Sequence, residues 1–278
     1  MPPHRIAQPE WRGEPAAGQR ILLHAEQGLG DTLQFVRYAP GVAARGLQVT
    51  LEVQAPLVRL LQNLPGVGEV VAAGNPRPEF DLHCPLMSLP LAFATDLDSI
   101  PADVPYLVPP SNLLSCWGEC LPPRGGVRVG LVWAGNRGHG DVRHHFIDRR
   151  RSIDPALLAP LAEVVGVTWV NLQHDATALP FPMTDPMAAI CDFADTAALV
   201  AQLDLVIGVD TSVVHLAGGM GKPVWMLSRF DGCWRWMHGR HDSPWYPTMR
   251  IYRQTAPDDW RPVVARLATD LTQFSQTG

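Results

Sequence analysis

"DLVIGVDTSVVHLAGGMGKPVWML" (204–227) is the stretch on which the fold turns. "DLVIGVD" (204–210) is apolar without alternation, the pattern of a strand covered on both faces. It ends on Asp210. Thr211 and Ser212 are helix-capping types, and "SVVHLAGG" (212–219) has the spacing of a short helix. Gly218, Gly219 and Gly221 stop that helix, and "KPVWMLS" (222–228) starts a second strand. Strand, helix, strand in so short a span predicts a parallel sheet with helices on its faces.

The same rhythm runs outward in both directions. Ahead of it come strands at "VRVGLVWAG" (127–135) and "VTWVNLQ" (167–173), with helices at "DPALLAPLAEV" (154–164) and "TAALVAQL" (196–203). Behind it come a strand at "MRIYRQ" (249–254) and a helix at "DDWRPVVARLATDLTQF" (258–274). Near the start, strands at "RILLHAE" (20–26), "LQVTLEV" (47–53), "VGEVVAA" (67–73) and "FDLHCPL" (80–86) alternate with helices at 31–45 and 56–64. In the first of these helices Leu33, Phe35, Val36 and Ala39 form the expected inner face. "IPADVPYLVPPSNLLSCWGECLPPRGG" (100–126) carries six prolines and little periodicity, and reads as linker. The expectation is therefore α/β: two Rossmann-like parallel-sheet domains facing a cleft, at 1–110 and 111–278. The last helix is free to pack back on the first domain. Ligands of such sheets sit at the carboxyl ends of the strands.

Composition narrows the class. The chain has 278 residues, is 46% hydrophobic, and has a net charge of −5 with no Lys/Arg run. That argues against nucleic acid as a partner. Five cysteines form no framework or zinc pattern, so reduced thiols in a cytoplasmic protein are expected. "MPPHRIAQPEWRGEPAAGQ" at the start lacks the apolar stretch of a signal peptide. No run is long and apolar enough for an integral membrane protein.

Four groups carry chemistry. "HAEQGLGDTLQFVRYAP" (24–40) places Gly28 and Gly30 around a turn that ends on Asp31. Two readings stand: Asp31 caps the helix, or the backbone admits a ligand while Asp31 acts as a general base. A dinucleotide fingerprint needs a further glycine where Leu33 stands, which disfavours NAD or FAD. In 210–215 the helix start suits a phosphate, with His215 one turn in on the face of Thr211 and Ser212. "WAGNRGHGDVRHHFIDRRRSI" (133–153) offers Arg149, Arg150 and Arg151 to a diphosphate. Its His139, Asp141, His144, His145 and Asp148 fit no metal spacing, and a solvated loop is the plain alternative. In "FDGCWRWMHGRHDSPWYP" (230–247), Trp234, Trp236, Trp245 and Tyr246 either stack on sugars or bases, or wedge a loop onto the domain. "DLD" (96–98) lacks the preceding strand of a metal-binding acidic motif.

Taken together, "EQGLGDTLQFVRYAP", "RRRSI", "VNLQ", "DLVIGVDTSVVHLAGGMGKPVW" and "SPWYPTMRIYRQ" resemble the glycosyltransferase module that follows tetratricopeptide repeats in many bacterial proteins. That module is similar to glycosyltransferase family nine, the ADP-heptose lipopolysaccharide heptosyltransferases. The resemblance runs from about Trp11 to Phe274. It implies the GT-B architecture and an inverting transfer from a nucleoside-diphosphate sugar, with no metal and no other cofactor. The acceptor would be a glycan, a lipid-linked glycan or a protein. A tetratricopeptide-repeat module is an implied partner. On this resemblance Asp31 is the catalytic base. The donor set is Gly135, Asn136, Arg149, Arg151, Ser152, Gln173, Asp210, Thr211, Ser212 and His215. Acceptor or sugar contacts fall on Gln27, Gly28, Gly30, Trp234 and Trp236. Family nine has a lysine where this chain has Arg149–Arg151 and Ser152. A non-catalytic nucleotide-sugar docking module and a nucleotide-sugar epimerase are the rival readings.

Overall fold

The structure is a computed structural model, and it describes residues 6–135 and 142–277. The first half runs β1 (Arg20–His24), α1 (Leu29–Phe35), α2 (Ala39–Ala44), β2 (Gln48–Val53), α3 (Val58–Leu61), β3 (Val67–Ala72), β4 (Leu82–Pro85) and α4 (Leu89–Ala92). The second runs α5 (Ser111–Glu119), β5 (Val127–Val132), α6 (Val142–Arg151), α7 (Ala159–Ala162), β6 (Val167–Asn171), α8 (Phe193–Ala201), β7 (Leu205–Val209), α9 (Ser212–Gly219), β8 (Val224–Ser228), β9 (Met249–Arg253) and α10 (Arg261–Thr277).

These strands form two sheets, a four-stranded one in the order β3-β2-β1-β4 and a five-stranded one in the order β6-β5-β7-β8-β9. Every pairing between neighbouring strands is parallel. All residues of β5, β7 and β8 are buried, including Arg128 of β5 and Ser228 of β8, as their largely apolar runs suggest for strands covered on both faces.

One face of the five-stranded sheet is sealed by α7 and α10, through Leu161, Val263, Val264, Leu267 and Leu271. That corrects the expectation for the last helix, whose buried stripe belongs to this core and not to the four-stranded sheet. The linker reading of 100–126 also needs correction in part, because α5 lies inside it. Leu113, Leu114 and Trp117 give α5 one apolar side that packs on α8, and Pro110 and Pro122 bound it.

The other core is continuous across the two halves. It runs from Leu23 and Leu51 through Leu33 and Phe35 of α1 to Val214, Leu216 and Ala217 of α9, then to Val206 and Met226. Helices α1 and α9 are thus the seam between the sheets. At Gly30 they meet so closely that an added Cβ would lie 2.8 Å from Cδ2 of His215 and 3.5 Å from Cα of Ser212. The glycine that the sequence marks for close approach is approached by the protein's own α9.

Three arginines fasten this seam. Arg37 is 5% exposed and sits over the rings of Tyr106 and Tyr246. It donates to the carbonyls of Gln34 (2.7 Å) and Trp245 (2.6 Å) and to the Tyr106 hydroxyl (2.9 Å). Arg59 of α3 holds Asp192 at 2.7 Å and Asp195 at 2.6 Å, the first capping α8. Arg235 reaches back to α1, donating to Gln34 Oε1 at 2.7 Å and pairing with Asp31.

Because backbone and ring meet at Gly30, Gly30→Ala must push the helices apart. A loss of about 1–3 kcal/mol is expected, the usual cost of overfilling a packed site. Urea unfolding of the variant measures it; an unchanged midpoint and slope would show the seam to be looser than described.

Candidate active site

The carboxyl end of β7 builds the corner. Asp210 leaves the strand, Thr211 takes an extended backbone (φ −136°, ψ 168°) as the N-cap, and α9 starts at Ser212. The first amides of any helix lack partners within it, and together they present about half a positive charge. Thr211 is 9% exposed, yet its Oγ1 has no hydrogen-bond partner. It caps nothing in its own helix.

Thr211 and Ser212 form one wall of a cavity of about 560 Å3. Gly135 and Gln173, from the ends of β5 and β6, and Thr196 of α8 also line it. Trp133, Met187, Ile190 and Phe193 give it apolar surface, and Leu29 of α1 and Pro56 face it from the four-stranded half. Its charged and titratable wall groups, among the described residues, are His174, Asp175, Cys191 and Asp192; no lysine or arginine lines it. Such a space suits a nucleoside, with an anion seated on the helix start.

Behind this corner lies a packed polar group. His215 Nδ1 shares a hydrogen bond of 2.8 Å with the Tyr246 hydroxyl, and its ring lies 5.3 Å from that of Trp236. His215 Nε2 is 3.6 Å from Asp210 Oδ1, an electrostatic contact longer than a hydrogen bond. Burial opposes ionisation of Asp210. The contact with His215, then Trp236 and Arg151, outweighs it and holds the carboxyl down at about 2.

The expected donor residues therefore divide. Gly135, Gln173, Thr211 and Ser212 line the cavity. Gln173 also has a structural task, since its Oε1 accepts from the amides of Trp133 (3.2 Å) and Ala134 (2.8 Å). His215 is 5% exposed and supports the corner from behind. Arg151 is occupied: it pairs with Asp148 and donates to the Asp210 carbonyl at 2.6 Å. Ser152 Oγ accepts from the Gly135 amide at 3.2 Å and donates to the Asp148 carbonyl. Arg150 pairs with Asp231 at 2.6 Å, and Arg149 is exposed on α6. Asn136, His139 and Asp141 lie outside the described residues, as do the side chains of His144 and His145.

In the four-stranded half, Asp31 stands at the N3 position of α1. Its Oδ2 accepts from the Gly28 amide at 2.9 Å and its Oδ1 pairs with Arg235. It does not line the cavity, though Leu29, two residues before it, does. Gln27 is exposed, and its carbonyl accepts from Gln54 Nε2 at 2.8 Å. Trp234 is 58% exposed. Trp236 is fully buried and offers no face to a sugar, which corrects that expectation. Burial, then the charges of Asp31 and Glu10, raise the Glu26 carboxyl above its usual range. Asp175, Cys191 and Asp192 were missed because the segment ahead of α8 carries no periodicity to place them, and Thr196, inside the expected helix at 196–203, carried no signal beyond that of a helix residue.

No protein-family model matches the chain. It is 26% identical over 306 residues to protein FlbA of Caulobacter vibrioides, covering 99% of this chain and 50% of FlbA. The chain thus spans about half the length of that curated relative. Among solved structures, Escherichia coli ADP-heptose lipopolysaccharide heptosyltransferase II has a TM-score of 0.64 at 11% identity, over 93% of this chain and 100% of that one. A glycosyltransferase family 9 protein from Veillonella parvula has 0.63 at 9% identity, over 87% and 88%. The iron-containing glycosyltransferase TibC of enterotoxigenic E. coli has 0.58 at 13% identity, over 90% and 67%. These likenesses establish a shared α/β fold with two parallel sheets. Among the described residues no helix is long and apolar enough to cross a membrane.

One electrostatic feature of the four-stranded half is open to direct test. His24, at the end of β1, has Nε2 3.2 Å from Nδ1 of His83. Burial and the His83 imidazole push His24 down to about 4, against the opposing charge of Glu52; Arg77 adds to the downward shift. The unfolded chain, with an ordinary histidine near 6.5, binds the extra proton first. Stability is therefore expected to fall as pH drops from about 6.5 towards 4, by up to about one proton's slope. His24→Gln should flatten that part of a pH series of urea midpoints; an unchanged slope would place the proton elsewhere.

Proposed function

We propose that this chain is a GT-B glycosyltransferase, moving a sugar from a nucleotide donor to a hydroxyl acceptor with inversion and without a metal ion. The observation that carries the reading is the unpartnered, buried Thr211 hydroxyl at the N-terminus of α9, on the wall of a nucleoside-sized cavity. The fold shared with family-nine structures supports it.

In this reading the acceptor oxygen bonds to the anomeric carbon as the bond to the nucleotide phosphate breaks. The transition state resembles an oxocarbenium ion. The leaving phosphate gains charge beside the first α9 amides and Thr211, whose hydroxyl has no other partner to give up. Asp31 takes the acceptor proton, with Gly28 and Arg235 orienting its carboxylate. The acceptor, a glycan, lipid-linked glycan or protein, would approach from the four-stranded half. A cytoplasmic setting and a tetratricopeptide-repeat neighbour rest on the sequence resemblance.

A second reading has an observation of its own. Both oxygens of Asp31 are engaged in capping and in the Arg235 pair, a complete structural task. A nucleotide-sugar docking module would keep the α9 corner and use Asp31 only in this way.

Asp31→Asn separates the two. It keeps an acceptor for the Gly28 amide but no base. Loss of about 10²–10⁴ in transfer is expected, with donor affinity serving as the internal check on folding. Turnover within about tenfold of the parent, at equal donor affinity, removes Asp31 from the base role and favours docking.

A further inference from the structure

The charges around the cavity bear on how many phosphates its occupant carries. A diphosphate is commonly met by arginine or lysine. Among the described residues none lines this wall, and the charged side chains that do include two carboxylates, Asp175 and Asp192. His174, the lining imidazole, lies 2.8 Å from Asp175, and both are largely exposed. Three described guanidiniums near the corner are already matched. Arg151 is paired with Asp148, Arg59 with Asp192 and Asp195, and Arg235 with Asp31. Recruiting any of them to a ligand leaves a carboxylate without its partner, most expensively at Asp148, whose side chain is 6% exposed.

The favourable elements are all neutral groups gathered at one point. The start of α9 supplies about half a positive charge and the amides ahead of Val214, whose own N–H already donates to the Thr211 carbonyl at 3.1 Å. Thr211 is nine-tenths buried and lines the cavity, and its Oγ1 has no partner. That complement answers one anionic phosphodiester. A second phosphate would lie further out in the same space, where no described lining cation meets it and the carboxylates repel it.

We propose that the donor is a nucleoside monophosphate sugar, whose single phosphate sits on the α9 amides and the Thr211 hydroxyl. The inference rests on the nucleotide-sugar reading above and changes the diphosphate expected from the sequence. The step balances simply. The acceptor oxygen forms its bond to the anomeric carbon, and the anomeric carbon–oxygen bond breaks. The electron pair leaves with the nucleoside monophosphate, and the acceptor proton passes to Asp31. The leaving phosphate gains a second negative charge next to Thr211, where the hydroxyl donates to it.

The test is equilibrium binding to the full chain by titration calorimetry, in metal-free buffer of fixed ionic strength. The probes are the four ribonucleosides, their 5′-monophosphates and their 5′-diphosphates. For the preferred base, the monophosphate should bind at least as tightly as the diphosphate, and about tenfold more tightly than the nucleoside. Thr211→Val should remove the advantage of monophosphate over nucleoside. A diphosphate that binds about tenfold more tightly than the monophosphate overturns the inference and leaves the nucleotide-sugar reading standing. An advantage that survives in Thr211→Val overturns the assigned seat of the phosphate. Absence of binding by every nucleotide, in a chain with a cooperative thermal transition, removes the nucleotide reading itself.

Discussion

Everything at the site depends on the contact between the Gly30 backbone and the His215 ring. With no Cβ at position 30, α1 lies against the first turn of α9, and the two sheets share one apolar core. The contact fixes the imidazole between Tyr246 and Trp236. The imidazole in turn stands behind Asp210, the residue that ends β7 and leads into the helix start. The cavity forms beside this seam, where Leu29 and Pro56 of one half face Thr211 and Phe193 of the other. Its shape therefore depends on how the halves are set together. The arginine pairs across the seam act differently from the apolar core. Ion pairs such as those of Arg59 and Arg235 add little net stability, and Arg37 is held by neutral groups, but all three need partners from the opposite half. They leave few alternative settings for the two sheets.

Much of the fold was legible in the sequence, for a plain reason. Strands covered on both faces cannot carry polar residues at alternate positions, so "DLVIGVD" and "KPVWML" announce themselves as unbroken apolar runs. The helices were less legible. In 56–64 and 154–164 the periodicity suggested longer helices than α3 and α7, each preceded by a 3-10 turn that starts beside a proline. Helix α5 was hidden by the prolines around it, although Trp117 supplied its anchoring side chain. Local patterns carry no information about what packs on a short apolar face.

The site was legible where its chemistry is local and not where it is tertiary. Asp210, Thr211 and Ser212 could be read because strand end, cap and helix start are consecutive. Gly28 and Gly30 advertised close approach, but a sequence cannot say whether a ligand or another helix fills the space. The arginine triplet looked available because Asp231, the partner of Arg150, lies far along the chain, and because the loop reading of 133–153 hid the i,i+3 pair of Asp148 with Arg151. The partner of Asp31 lies 204 residues away, and no spacing rule reaches that far. A charge read from sequence looks free; in the fold Arg59, Arg150, Arg151 and Arg235 are all matched.

That matching bears on whether Asp31 can both hold the seam and move a proton. An ionised carboxylate has about four acceptor directions. The Gly28 amide takes one on Oδ2 and Arg235 takes one on Oδ1, so neither oxygen is exhausted. The side chain is 26% exposed, against 10% for Arg235, which places the open directions on the solvent side of the pair. An acceptor arriving there meets a carboxylate held in orientation from two sides, as a base must be if it is to act without first reorganising. Structural use and catalytic use then draw on different lone pairs of the same group. The helix cap and the ion pair are compatible with chemistry at Asp31, provided the acceptor enters from the solvent side of the seam and not through the cavity.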